Sequence, residues 1–179
     1  MTDTPSRLSD RAAELRLAFD HSFAEPPRLE AAPEEDLLGI RLAAQPYAIR
    51  LSEITGLHAG NTITRVPSGA PALLGLVGFR GAILPVYGLN ILLGYPMAEK
   101  PRWLTVASGA PIALALEGFD GHLRVSRDAI LQQEGDEPRR LFVREFARAG
   151  GIVRPIVHLA SVLDAIRKQP QDVAAMKER

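Results

Sequence analysis

Cysteine is absent from this 179-residue chain, and its charges cancel, with 21 Lys and Arg against 21 Asp and Glu. Without thiols, the sequence excludes disulfides, a cysteine nucleophile and cysteine-based zinc or iron–sulfur sites. A balanced charge supplies no broad positive field for phosphate backbones, so we expect no nucleic-acid partner. What remains is an apolar content of 46%, enough for a domain with its own core.

Features of a secreted or membrane-inserted protein are also scarce. The first residues do not combine a basic start with an apolar run, as a signal peptide would. The most apolar stretch, residues 70–97, contains Arg80 and several prolines and glycines, which would disrupt a spanning helix. We therefore expect a cytoplasmic protein that does not insert directly into a membrane.

Signatures of catalysis or metal binding are weak. No pair among the four histidines has a spacing typical of metal ligands, and no Gly-x-Ser-x-Gly motif is present. The sequence therefore predicts no metal, no cofactor and no enzyme. The rival hypothesis from the enzyme class is a small serine hydrolase, which would need Ser108 or Ser161 beside a histidine in a cleft.

The N-terminal residues 1–35 are predicted to be an amphipathic helix followed by a linker. Apolar residues recur at helical spacing, at Leu8, Ala12, Leu15, Phe19 and Phe23. The residues after them are rich in proline and charge and have no apolar periodicity. Since one such helix is not stable alone, it either covers an apolar seam of the main domain or docks on another protein.

From Asp36 onward the pattern changes to short β-type runs separated by Gly, Pro, Asp and Ser. The first two runs suggest a hairpin with its turn at Gln45-Pro46, short helices are predicted near 89–93 and 161–167, and no internal repeat is apparent. Many short strands favour barrels or a sandwich over alternating βαβ units. The predicted strands are 37–42, 47–51, 63–66, 73–79, 82–87, 103–107, 112–116, 122–125, 141–146 and 152–158.

The most distinctive motif is the glycine-rich run 75–81. It is followed by a proline-interrupted β-type segment rather than a helix, so it does not match a phosphate-binding loop. It predicts instead a tight strand–turn–strand unit in which Gly81 takes a positive φ beside Arg80. An arginine there is either a solvated turn residue or a protein-binding hot spot bordered by Phe79 and Ile83.

This motif and its neighbours resemble the CheW-like domain of bacterial chemosensory coupling proteins. The resemblance covers about residues 36–168, with a tail at 169–179, and it is strongest in a Gly-x-x-x-x-Arg-Gly-x-x-x-Pro-Val core. The residues of that core are Gly75, Arg80, Gly81, Pro85 and Val86.

The resemblance implies a mainly β fold of two intertwined SH3-like five-stranded barrels that share an apolar core, here with an N-terminal helix and a short C-terminal helix. It also implies a non-enzymatic adaptor that bridges the cytoplasmic tip of a chemoreceptor and the regulatory domain of a CheA-type histidine kinase. Phe79, Arg80, Gly81 and Ile83 are the expected protein-binding residues. A partner-sequestering or inhibitory module of a non-flagellar pathway is the alternative on the same fold.

Two positions depart from the usual pattern of this family. Gly88 stands where an aspartate is common, so a capping or network role there is missing or replaced. Glu117 follows Leu116 where Val-Asp is typical, so the second barrel is expected to present an altered face.

Overall fold

The computed structural model describes residues 33–96, 101–132 and 142–168, and most of them lie in β-strands. The predicted N-terminal helix and the tail at 169–179 lie outside these residues, and the end of the predicted linker, Glu34 and Glu35, begins the first strand. The elements are β1 (Glu34–Leu42), β2 (Gln45–Arg50), β3 (Ile54–Ala59), β4 (Leu73–Phe79), β5 (Ala82–Gly88), α1 (Leu89–Leu92), β6 (Trp103–Ala107), β7 (Ala113–Leu116), β8 (Gly118–Ser126), β9 (Ile130–Gln132), β10 (Val143–Ala149), β11 (Ile152–Val157) and α2 (Leu159–Lys168).

These strands form two sheets. Sheet A has the order β8-β1-β2-β11-β10-β9, and sheet B has the order β3-β6-β7-β5-β4. The chain leaves sheet A through a short 3-10 turn at Leu51–Glu53 and returns through a single residue, Glu117. The predicted mainly β fold of two barrel-like units is confirmed, and the short strand β9 gives sheet A a sixth strand.

Three apolar clusters form the core, one inside each sheet and a central one between the two sheets. Along β7, Ala113 and Ala115 face the interior of sheet B, whereas Leu114 and Leu116 face a central cluster. Strand β2 alternates in the same way, with Ala48 inside sheet A and its neighbours in the central cluster. Helix α2 buries its apolar side in that cluster as well. The expected shared apolar core is therefore present, because central strands contribute one face to their own sheet and the other to the contact between sheets.

The structure contains an internal repeat that is not apparent in the sequence. In the β4–β5 hairpin Val77 pairs with Leu84, and in the β10–β11 hairpin Ala147 pairs with Arg154. The offset is 70 residues for both strands, since 147 − 77 and 154 − 84 are equal. Both hairpins have a register shift near the start of the first strand, pair their second strand in parallel with a central strand, and lead into a helix. We call them hairpin B (β4–β5) and hairpin A (β10–β11).

Two local expectations are corrected. The first hairpin turns at Ala43 and Ala44, whose φ angles are 50° and 60°, while Pro46 is already paired in β2. Residues 63–66 do not form a strand; only Thr64 forms a bridge, with Leu76. That bridge requires a glycine at position 75, because a Cβ there would lie 2.2 Å from the Thr64 carbonyl oxygen.

No helix among the described residues combines the length and apolar character needed to cross a membrane.

Candidate functional site

The tip of hairpin B carries all four residues that the sequence singled out. Phe79 pairs with Ala82, and the two residues between them, Arg80 and Gly81, have φ angles of 49° and 82°. Two successive positive φ values are typical of a type I′ turn, whose twist matches that of the flanking strands. The predicted positive φ of Gly81 is confirmed, and Arg80 also adopts this conformation, which costs a non-glycine residue roughly 1 kcal/mol.

An aromatic contact beneath the turn supports Arg80. Its guanidinium carbon lies 5.2 Å from the centre of the Phe79 ring, within the range of a cation–π contact. The Phe79 ring meets the His58 ring edge to face, with the centres 4.5 Å apart. His58 lies on β3 and Phe79 on β4, the two edge strands of sheet B, so this contact joins the two edges. His58 was not among the predicted site residues, because strand β3 was not predicted from the sequence.

His58 is enclosed at this contact. Its Nε2 atom is buried and has no hydrogen-bond partner. Gly56, at a φ of 140°, makes room for the ring, since a Cβ at this glycine would lie 3.3 Å from Nε2. The ring therefore serves as packing for Phe79.

The apolar part of the tip lies on its outer face. Ile83 is 74% exposed, the largest exposure among the large apolar side chains of the described residues. It pairs with Gly78, so no side chain lies across the strand from it. Phe79 shares the inner face with buried Val77 and is partly buried. The tip thus presents a guanidinium and an isoleucine to solvent, with the phenylalanine as support.

Among the described residues, one serine and one histidine lie within hydrogen-bond distance of each other, and this pair forms a helix cap rather than the catalytic pair of the serine hydrolase hypothesis. Ser161 Oγ lies 2.7 Å from His158 Nδ1, and the Ser161 backbone N–H also donates to this nitrogen at 3.3 Å. His158 directly precedes α2, so its ring accepts at the first turn as a capping residue does. The Ser108 hydroxyl lies 3.2 Å from the Ser52 carbonyl oxygen, to which it donates.

Next to this cap, burial raises the pKa of Glu53, against the opposing influence of Arg50 and His158. Glu53 belongs to the 3-10 turn that connects the sheets, and its backbone carbonyl accepts from the Ser108 N–H at 2.9 Å. The polar residues at this place therefore have structural roles: Ser161 and His158 cap α2, and Glu53 and Ser108 hold the connection between the sheets.

A polar network is present at the end of β5 despite Gly88. The fully buried Asn90 donates from Nδ2 to Glu117 Oε1 at 2.8 Å. The other carboxylate oxygen of Glu117 accepts from the Ala44 N–H at 3.4 Å, in the first hairpin turn of sheet A. Glu117 and Asn90 therefore provide the network at this position and tie α1 to the turn of the other sheet.

Comparisons with known proteins agree with this fold. A family model of the CheW-like domain matches residues 36–167. Among solved structures, the chain is similar to the scaffolding protein TtCheW from Thermoanaerobacter tengcongensis, with 17% sequence identity and a TM-score of 0.64. That match covers 70% of this chain and 89% of the other. Comparison with curated proteins gave no match.

Proposed function

Because the chain belongs to the CheW-like domain family, we propose that it is a non-enzymatic cytoplasmic adaptor that couples chemoreceptors to a CheA-type histidine kinase. Its work is reversible protein contact without a cofactor or a bond-making step. The partners are the regulatory domain of the kinase and the cytoplasmic tip of a receptor. Interfaces near the lower end of the standard size suit an assembly that must exchange.

The observation that carries this proposal is the conformation of Arg80. The turn of hairpin A, at the equivalent positions, uses Gly150 and Gly151, with φ angles of 57° and 75°. Glycine adopts such angles without steric cost, so an arginine in the equivalent turn of hairpin B is the more costly choice. An exposed arginine that is supported by an aromatic ring is typical of protein-binding hot spots. A role in binding therefore explains why an arginine occupies this strained position.

We assign the docking surface to Phe79, Arg80, Gly81 and Ile83. Arg80 and Ile83 contact the partner directly, Gly81 permits the turn, and Phe79 supports the guanidinium from below. The arginine supplies a planar set of donors for carboxylates or carbonyls, and the isoleucine supplies apolar area.

The test is Arg80→Glu in the full chain, followed by capture of the kinase regulatory domain and of a receptor cytoplasmic fragment. Because Arg80 is exposed and has no ion-pair partner among the described residues, we expect an unfolding midpoint close to that of the original protein. Capture should fall at least tenfold. Lys168→Glu, at the exposed end of α2, makes the same charge change elsewhere and should leave capture intact.

Capture that survives Arg80→Glu would reject the assignment of this surface. A reconstituted kinase assay with and without receptor addresses the adaptor role itself. Stimulation by receptor that depends on this protein supports coupling, whereas kinase binding without such stimulation would indicate the sequestering module instead.

A further inference from the structure

Each crossing between the two sheets carries a glutamate whose side chain contacts the start of a helix. At the return crossing, Glu117 accepts a hydrogen bond from Asn90 of α1. At the outward crossing, Glu53 accepts from the backbone N–H of Leu159, the first residue of α2. The two places are equivalent in topology, because each crossing follows a central strand, β7 or β2, that pairs in parallel with the strand leading to that helix, β5 or β11.

The two glutamates differ in how completely their oxygens are paired. Glu117 accepts from Asn90 at 2.8 Å with Oε1 and from the Ala44 N–H at 3.4 Å with Oε2. In Glu53, by contrast, Oε2 is buried and has no hydrogen-bond partner among the described residues. A negative charge on such an oxygen is poorly compensated, so this environment favours the neutral carboxyl group.

The charged and titratable groups that face Glu53 are engaged elsewhere or carry the same charge. Arg50 on β2 already pairs with two other carboxylates, one of which is that of Glu145 on β10. His158, before α2, has its Nδ1 bound to Ser161. Burial raises the pKa of Glu53, Arg50 and His158 oppose this, and Glu145 adds to it, so that the net pKa lies above the ordinary value of 4.5.

We propose that Glu53 is a pH-sensitive switch that links the outward crossing between the sheets to helix α2. In the neutral form, the carboxyl group stays at the crossing and accepts from the Leu159 N–H. In the ionised form, the uncompensated charge turns the side chain toward water, and the Leu159 N–H loses its acceptor. Because α2 buries four apolar residues in the central cluster, this change loosens the packing of the helix at its first turn. The inference goes beyond the proposed function and does not depend on it.

The variant Glu53→Gln tests the switch, because it keeps the shape and one accepting oxygen of the side chain but cannot ionise. With a raised folded pKa, the stabilising contribution of Glu53 is present below the unfolded value of about 4.5 and is lost as the pH rises through the folded value. We therefore expect equal thermal unfolding midpoints near pH 4 and a midpoint several degrees higher in the variant at pH 8. In hydrogen exchange followed by NMR, the Leu159 amide should exchange at least tenfold faster in the original protein than in the variant at pH 8, and equally fast near pH 4.

The matched control is Glu117→Gln at the other crossing. It replaces one of two accepting oxygens by an amide nitrogen that cannot accept, so we expect a lower midpoint and unchanged exchange at Leu159. A difference between Glu53→Gln and the original protein that is the same at both pH values, or a lower midpoint of this variant at pH 8, would overturn the proposal. A pH-dependent difference in midpoint without a change at Leu159 would also overturn it, since the charge would then act on stability but not on α2.

Discussion

Hairpins A and B have the same backbone register but different chemistry at three equivalent positions. The turn is Arg80-Gly81 in hairpin B and Gly150-Gly151 in hairpin A. The inward-facing residue near the turn is Leu84 in hairpin B and Arg154 in hairpin A. Next to the register shift, hairpin B has Gly75 and hairpin A has Glu145. One scaffold thus presents an arginine at the surface of one tip and buries an arginine beneath the other.

What the hairpins share explains why the register is the same. Both carry a proline in the second strand, followed by a buried β-branched residue and, at the start of the helix, a buried leucine. The equivalent pairs are Pro85 and Pro155, Val86 and Ile156, and Leu89 and Leu159. The buried β-branched residues and the leucines belong to the apolar clusters of the core, so they fix the geometry of the hairpins, and the turn ends are free to differ.

The largest effect is expected when hairpin B receives the residue that hairpin A has next to the register shift. In Gly75→Glu the new side chain meets the Thr64 backbone at once, at a φ of 146° that an L residue rarely adopts. We expect a loss of more than about 3 kcal/mol in the free energy of unfolding, or no folded protein, measured by urea titration. Gly78→Ala, where a Cβ meets nothing within 4 Å, is the matched control and should change it by less than about 1 kcal/mol.

Glu145, the residue of hairpin A that is equivalent to Gly75, has an electrostatic role. Burial raises the pKa of Glu145, but hydrogen bonds from Arg50 and Gln132 outweigh it, so the net pKa lies below the ordinary value of 4.5. Glu145→Gln leaves Arg50 with one carboxylate, and we expect a loss of about 1–2 kcal/mol near pH 7.

The pH dependence of that loss follows from the sign of the shift. A lowered pKa stabilises the fold above the unfolded value of about 4.5, and this stabilisation disappears as the pH falls through the lower folded value. The difference between Glu145→Gln and the original protein should therefore shrink in unfolding experiments below pH 4.5. A gap of constant size down to pH 3 would contradict the assignment.

The smallest effect is expected when hairpin B receives the turn of hairpin A. Arg80→Gly removes the strain of the positive φ but also makes the unfolded chain more flexible, so we expect a change within about 1 kcal/mol. Capture of the kinase regulatory domain should nevertheless fall as in Arg80→Glu, because the guanidinium is gone. Thermal unfolding and capture of the same samples test this, and unchanged capture would show that the turn backbone alone is recognised.

Much of the fold was predictable because its signals are local. Alternating short runs predicted most strands, and the glycine-rich run 75–81 indicated the hairpin B turn. The turn at Ala43 and Ala44 was not predictable, since alanine rarely takes a positive φ and the nearby Gln45-Pro46 is the more usual turn signal. The 70-residue repeat was also hidden, because backbone register and burial preserve it while most equivalent side chains differ.

The candidate site was predictable only in part. Arg80 and its neighbours stand out in the sequence, but their support by His58 depends on a contact between the two edge strands of sheet B. The burial of Arg154 was invisible for a similar reason, since an arginine in a strand is ordinarily exposed. Both features depend on tertiary packing rather than on any local pattern.

The two crossings between the sheets determine which sheet can be completed first during synthesis. Sheet B is encoded by one uninterrupted stretch, residues 54–116, whereas sheet A combines residues before and after it. Ala48 must wait for Ile156, which is 156 − 48 = 108 residues further along, before β2 gains its parallel neighbour. On a ribosome, sheet B is therefore complete while four of the six strands of sheet A, β8 to β11, are still missing. We expect β2 to need protection from aggregation during that interval, because its unpaired edge stays exposed until the C-terminal strands emerge.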